Sequence, residues 1–311
     1  MDGKQLRTQY KEHLSDFNNW NQKEHAEDFI LYPKNIGYHL CIDETALSKG
    51  ELYTILTNRD KHGRKCTIVA IVKGTKAEDV INVLLKIDAD KRNQVKEITL
   101  DMAGSMQKIA KRCFPGAMQV VDRFHVSKLV YEAVQDLRIA YRWQVMKDEN
   151  RKIKEAKAKG ESYEPKVFGN GDTLRQLLAG SRYLLFKAPD KWLQSRKVRA
   201  KLLFEQFPDI KSVYYYALRL GKIFSDYTDK DVARAKLALW YNEIEEFGYD
   251  TFTTVANSIE NHYERILNYF VNRRTNAAAE AFNAKIKAFR ASFRGVVDKR
   301  FFLYRLAKVY A

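Results

Sequence analysis

Two aspartates define the chemistry open to this sequence. Asp101 closes the apolar run Ile98-Thr99-Leu100 and Asp122 closes Val120-Val121, and each is followed by helix-forming residues, so 96–126 reads as strand, helix, strand, helix. A carboxylate where a buried strand meets solvent, with a helix next in the chain, is where functional acids sit in open α/β sheets. A lone Asp at such a point is more simply a helix N-cap. Two in tandem, with Asp43 ending a third apolar run at 38–42, favour chemistry over capping. A fourth acid lies near the C-terminus. Thr275 or Asn276 can cap a helix in which Glu280, Asn283 and Lys287 share one face, while Phe282, Ile286 and Phe289 form a neighbouring face that can bury. Glu280 alone would be an ordinary exposed helix glutamate, and its company makes it a candidate.

The elements that must position these acids follow from the pattern. Residues 1–35 are polar with scattered aromatics (Tyr10, Phe17, Trp20, Phe29) and predict a helix, then a loop closed by Pro33. Strand-like runs at 38–42, 51–57 and 66–72, with turn chemistry at 58–63, predict an antiparallel meander. Thr75 is then expected to cap a helix whose apolar positions Val80, Val83, Leu84 and Ile87 recur at helical spacing. The two strands that end in Asp101 and Asp122 come next. The order β-β-β-α-β-α-β-α is the ribonuclease-H-like layout, an α/β core with a mixed five-stranded sheet and flanking helices. There the ends of the first and fourth strands lie side by side, and Asp43 and Asp101 can hold a metal ion between them.

Strand signals stop after Val126. Val126, Leu129, Val130, Val134, Leu137 and Tyr141 trace a helix face, and the highly charged 147–164 reads as an exposed helix end or loop. Further helices are punctuated by Pro189 and Pro208 at first-turn positions, Asp229 as an N-cap and Gly248 as a C-cap. The expected organisation is an arm at 1–35, the first part of the core at 36–130, an all-helical insertion at 131–262, and core helices carrying the final Glu at 263–311. The aromatics of the insertion are expected to form its core rather than platforms for bases.

Lys and Arg number 55 against 39 Asp and Glu, a formal charge of +16 that favours a polyanionic partner, most commonly nucleic acid. Hydrophobic residues make up 45%, enough for a sizeable core. The cysteines are Cys41, Cys66 and Cys113, an odd number without a Cys-x-x-Cys pair, which argues against a disulfide framework or a zinc knuckle. No run approaches the ~18 apolar residues of a membrane span, so no membrane partner and a reduced, cytoplasmic setting are expected.

Asp43 after a strand, Leu100-Asp101-Met102, Asp122-Arg123-Phe124-His125-Val126, and Thr275-Asn276 leading to Glu280, Asn283, Lys285 and Lys287 together resemble the insertion-sequence DDE transposases of the ISL-three group, from about Ile36 to the C-terminus. The resemblance implies a ribonuclease-H-like catalytic domain interrupted by a helical insertion before the final Glu. It makes Asp43, Asp101 and Glu280 the catalytic, metal-holding acids, with Asp122, His125 and Asn283 near the site. It also implies Mg2+, with Mn2+ able to substitute, as two ions roughly 3.5–4 Å apart that serve cleavage and then transfer of a 3′-OH into target DNA. Arg273, Arg274, Lys285, Lys287 and Arg290 flank Glu280 and are expected to contact phosphates.

The expected partner is double-stranded DNA, both transposon ends and target, bound by a homodimer or larger assembly in a bacterial, nucleoid-associated setting. Members of the group carry an N-terminal zinc-binding and helix-turn-helix region. Here the first strand is preceded by about 35 residues without a Cys/His ligand cluster, so the expectation is either a separate N-terminal polypeptide for end recognition or a chain that is a catalytic fragment. The alternatives are a structure-selective nuclease on the same fold and a non-catalytic DNA-binding remnant.

Overall fold

The computed structural model describes residues 3–48, 50–273, 277–293 and 295–311, with the side chains of Lys4, Ser48, Asp250, Thr251 and 277–280 left out. Arg274, Thr275 and Asn276 therefore lie outside the described residues, and Glu280 is described by its backbone alone. The chain divides into two compact units, one made of 1–122 with 264–311 and the other of 123–263.

The first unit opens with α1 (Gly3–Gln9) and a π-helical turn at Tyr10–Leu14. A six-stranded mixed sheet follows: β1 (Phe29–Leu31), β2 (His39–Ser48), β3 (Glu51–Asn58), β4 (Ile68–Lys73), β5 (Glu97–Leu100) and β6 (Met118–Val121). Between strands run α2 (Ala77–Leu84), α3 (Ala89–Asn93) and α4 (Gly104–Cys113). Spatial order is β1-β4-β3-β2-β5-β6. The first four are antiparallel neighbours, while β2-β5 and β5-β6 are parallel.

The sixth strand corrects the five-stranded expectation, and it arises in the arm that was read as helix and loop. Phe29-Ile30-Leu31 is too short to give a periodic signal, yet Ile30 is fully buried and the run pairs with β4. Its outer edge is closed by Gln22, whose side-chain amide donates to the Leu31 carbonyl (3.0 Å) and accepts the Leu31 N–H (2.6 Å). The amide thus satisfies backbone groups that an edge strand would otherwise leave to a foreign chain. Two smaller corrections concern the start of β4 and the cap of α2. Cys66 sits before the strand with φ of 66°, and Lys76 occupies the N-cap position that Thr75 was expected to fill.

Both sheet faces are covered. Leu40, Ile42, Ile98 and Leu100 point to one side, where they pack with Val80, Leu84, Met106 and Ile109 of α2 and α4. Leu47, Tyr53 and Ile55 point to the other, against α13 (Ala277–Ser292) and α14 (Lys299–Tyr310) through Phe282, Ile286, Phe302 and Leu306. Each such aliphatic or aromatic side chain contributes ~1.5–3 kcal/mol when fully buried, which is why helices carrying these faces lie on the sheet.

The second unit is helical: α5 (Arg123–Ala158), α6 (Leu174–Gly180), α7 (Gln194–Gln206), α8 (Pro208–Asp226), α9 (Lys230–Phe247) and α10 (Asp250–Asn261). Pro208 opens α8, Asp229 caps α9 through the N–H groups of Asp231 and Val232, and Gly248 closes it with φ of 67°. Tyr214, Phe224, Trp240 and Phe252 are buried. Tyr141 and Tyr249 each donate a 2.5 Å hydrogen bond to Asp209, joining α5 and the start of α10 to the first turn of α8. The chain then returns through α11 (Tyr263–Leu267) and α12 (Tyr269–Asn272) to α13.

Candidate active site

Asp43 does not end its strand. It lies midway along β2, which runs on to Ser48 and stays paired with β3 beyond it, Glu44 opposite Thr54 and Thr45 opposite Tyr53. The apolar run that breaks at Asp43 marks a change of environment within the strand rather than its end. Asp101 follows β5 directly. The parallel register matches His39 with Glu97 and Cys41 with Thr99. Carried two residues further on the same face, it sets Asp101 beside Asp43.

Both carboxylates are half-buried and held. Asp43 accepts the Glu44 N–H at Oδ1 (2.8 Å) and the Asn283 side-chain amide at Oδ2 (2.6 Å). Asp101 accepts the Ala103 N–H at Oδ1 (2.8 Å), an Asx turn ahead of α4, whose N-cap position belongs to Ala103. Asp101 is thus not the helix cap. Asp122 is buried at the end of β6, where its backbone N–H bonds the Leu100 carbonyl (3.1 Å). His125 stands in the first turn of α5, its ring edge-on to Phe124.

Glu44 is a third acid at this place, and its role was not read from the sequence. Burial first, then the charges of Asp101 and Asp43, hold its carboxyl above the usual carboxylate range. Like charges crowded in a partly desolvated site are the condition that a bound cation relieves, and an all-oxygen donor set fits Mg2+ or Mn2+. Among the described residues no group of three His, Cys, Asp or Glu side chains is assembled to hold a metal ion.

α13 brings the other candidates. Its Phe282 and Ile286 are buried against the sheet, which turns Asn283 toward Asp43. Lys285 donates to the Gly63 carbonyl (2.8 Å) and Arg290 to the Ala46 carbonyl (3.3 Å), so both tether the helix to the sheet's loops and strand. Lys287 is exposed. Arg273 follows α12 with φ of 47°. Below the acids, Arg59 donates to Thr99 and Glu97, and Asn272 donates to Glu97. The sequence signal for that group was an acid, Glu97, at the head of an otherwise apolar strand.

Residues 40–306 match the family model described as transposase, of the DDE, ISL-three type. The chain belongs to that family, whose members act on DNA as DNA-cutting enzymes and generally use a divalent metal. No curated protein and no solved structure matches it. Among the described residues no helix is long and apolar enough to cross a membrane.

Proposed function

We propose that this chain is the catalytic part of an insertion-sequence DDE transposase, with Asp43, Asp101 and Glu280 as its metal-holding acids. On this reading the six-stranded unit is a ribonuclease-H-like core carrying one additional edge strand, and 123–263 is the helical insertion. The observation that carries the proposal is the β2–β5 register, which runs toward Asp43 and Asp101 on one face. Asn283, three residues beyond Glu280 on α13, bonds Asp43 on that same face.

Bound divalent cations, as one pair, would supply Lewis-acid stabilisation of the attacking and leaving oxygens. The protein's own part is positional. The Glu44 N–H and the Asn283 amide fix both oxygens of Asp43, and the Ala103 N–H fixes one oxygen of Asp101, so the carboxylates are oriented before DNA arrives. Arg273, Arg274 and Lys287 hold the phosphates of double-stranded DNA, which positions the duplex without reading its sequence, while Lys285 and Arg290 tether their helix. Asp122, buried at the end of β6, stands near the site. Transfer between two ends calls for a dimer or larger assembly on DNA, in the bacterial cytoplasm at the nucleoid.

The decisive test is Asp101→Asn, assayed on supercoiled plasmid with Mg2+ or Mn2+ and on a pre-cleaved 3′-OH donor. Cleavage and joining should vanish while DNA affinity stays within about twofold, since Asp101 contributes no positive charge. Equal activity of variant and parent would remove the assignment. Cleavage by the parent without joining would make it a nuclease on the same fold.

A further inference from the structure

β5 presents Glu97 and Thr99, with Asp101 next in the same alternation, to the sheet face on which α13 packs; Ile98 and Leu100 take the opposite, apolar face. Thr99 is fully buried, Glu97 is 2% exposed and Arg59 is 6% exposed. Burying a carboxylate and a guanidinium costs more than it returns unless their hydrogen bonds are met, and an apolar pair of the same size would serve stability equally well. Here Arg59 and Asn272 supply three such bonds. Arg59 Nη2 donates to Glu97 Oε1 (2.5 Å), Arg59 Nη1 donates to Thr99 Oγ1 (2.5 Å), and Asn272 Nδ2 donates to Glu97 Oε2 (2.8 Å). Both Glu97 oxygens are therefore engaged by the protein, and Glu97 offers no ligand to a metal.

What this group holds is the return of the chain to the sheet. Asn272 is the last residue of α12, whose approach is pinned by Asn268 Nδ2 donating to the Gln119 carbonyl of β6 (2.9 Å). Beyond it the chain passes through Arg273, in the left-handed region, to α13, where Asn283 reaches Asp43. The two ends of the stretch 272–283 are thus tied by asparagine amides to carboxylates on adjacent parallel strands. One tie is to Glu97 on β5, which leads to Asp101; the other is to Asp43 on β2.

We propose that Glu97, Arg59 and Asn272 form a positioning anchor that sets where α13 enters over the sheet, and through it the approach of Glu280 to Asp43 and Asp101. The anchor touches neither DNA nor ion. It acts by fixing the start of the helix, as groups behind metal ligands do. The proposal rests on the assignment of Glu280 as the third acid.

The test is Asn272→Ala in the full chain, because Asn272 is exposed, so that its loss opens no cavity in the core and leaves the Arg59–Glu97 pair in place. Four readouts are taken: thermal midpoint, DNA affinity, Mn2+ binding followed by electron paramagnetic resonance without DNA, and the single-turnover cleavage rate. A positioning role predicts DNA affinity near parental and a midpoint lowered only modestly, as Glu97 Oε2 loses its partner, with Mn2+ affinity and rate each lowered about ten- to a hundredfold. Amide exchange should rise at 281–283 and not in α14. Glu97→Asp, which shortens the acceptor, should lower the rate, and adding Asn272→Gln, which lengthens the donor, should recover part of it. Parental Mn2+ binding and rate in Asn272→Ala would overturn the anchor, as would losses that merely follow a lowered midpoint. Asp101→Asn runs alongside: if it too keeps Mn2+ binding and activity, the acid assignment fails, whereas its inactivity beside a parental Asn272→Ala removes the anchor alone.

Discussion

Asn283 donates its side-chain amide to Asp43 across 2.6 Å, a bond between residues far apart in sequence that joins α13 to the middle of β2. An amide in that place holds one oxygen of Asp43 so that the carboxylate presents a fixed edge.

The bond gives the first prediction. A hydrogen bond to a charged group is worth about 1.5–3 kcal/mol, so Asn283→Ala should slow cleavage about ten- to a hundredfold. Asn283→Asp should be worse than the alanine variant, because it sets a second negative charge against Asp43 where a donor stood. Single-turnover nicking of plasmid DNA by the three proteins measures the order. If the aspartate variant matches the parent, the amide has no bearing on the site.

Much of this arrangement was legible in the sequence, and the rest was hidden for identifiable reasons. Asp101 and Asp122 were visible because a strand's apolar run stops at each, and burial requires that stop. The helical face of 280–290 was visible because Phe282 and Ile286 recur at helical spacing and are buried. β1 was hidden because three residues carry no period, and its edge is satisfied by a glutamine side chain from elsewhere. Asp43 was placed at the end of its strand because hydrophobicity falls there, although hydrogen bonding with β3 carries β2 on to Ser48. Glu44 and the Glu97–Arg59 pair were passed over for a deeper reason. Which acid meets which neighbour depends on contacts between segments distant in the chain, and no local pattern encodes them.

A second prediction concerns acid stability. Asp298 caps α14 by accepting the Phe301 N–H (3.0 Å) and pairs with Lys11 (2.7 Å). Burial alone would raise its carboxyl, but the Lys11 and Phe301 hydrogen bonds, with the charges of Lys11 and Arg7, outweigh burial and hold it below the ordinary value of 3.8. A folded-state pKa below the unfolded one stabilises above the unfolded value and is lost as pH falls through the folded one. Asp298→Ala should therefore cost about 1 kcal/mol at pH 7, a helix cap and a partly solvated ion pair together. The gap to the parent should narrow as pH drops below the ordinary carboxylate range. Thermal melts from pH 7 to pH 3 follow it, and a gap constant across that range would assign the loss to packing.

A third prediction separates bases that build the protein from bases left to meet DNA. Lys285 and Arg290 spend hydrogen bonds on the carbonyls of Gly63 and Ala46, while Lys287 is exposed on the same helix. Lys287→Ala should leave the melting temperature unchanged and reduce the slope of log affinity against log salt by about 1. Lys285→Ala should lower the melting temperature as well, because its tether to the β3–β4 loop goes with the charge. Affinity for a random-sequence duplex between low and moderate salt reads the slope. An unchanged slope in Lys287→Ala would take that residue out of the DNA contact.

Cysteine chemistry supplies the last prediction. Cys41 and Cys113 are 1% and 0% exposed, and burial pushes the Cys113 thiol up to about 11, so neither presents a thiolate to solvent. Cys66 is partly exposed in the loop before β4 and holds φ at 66°, a conformation that costs a residue with a Cβ about 1–2 kcal/mol. A thiol reagent added to the folded protein should modify Cys66 alone, with the other two reacting only after unfolding. Cys66→Gly should remove that labelling and raise stability by about 0.5–1 kcal/mol, the relief of strain exceeding the added freedom of the unfolded chain. Two thiols reacting before unfolding would mean that β2 opens at Cys41, or α4 at Cys113, more readily than the packing allows, and a destabilised glycine variant would mean that the Cys66 side chain holds the loop it strains.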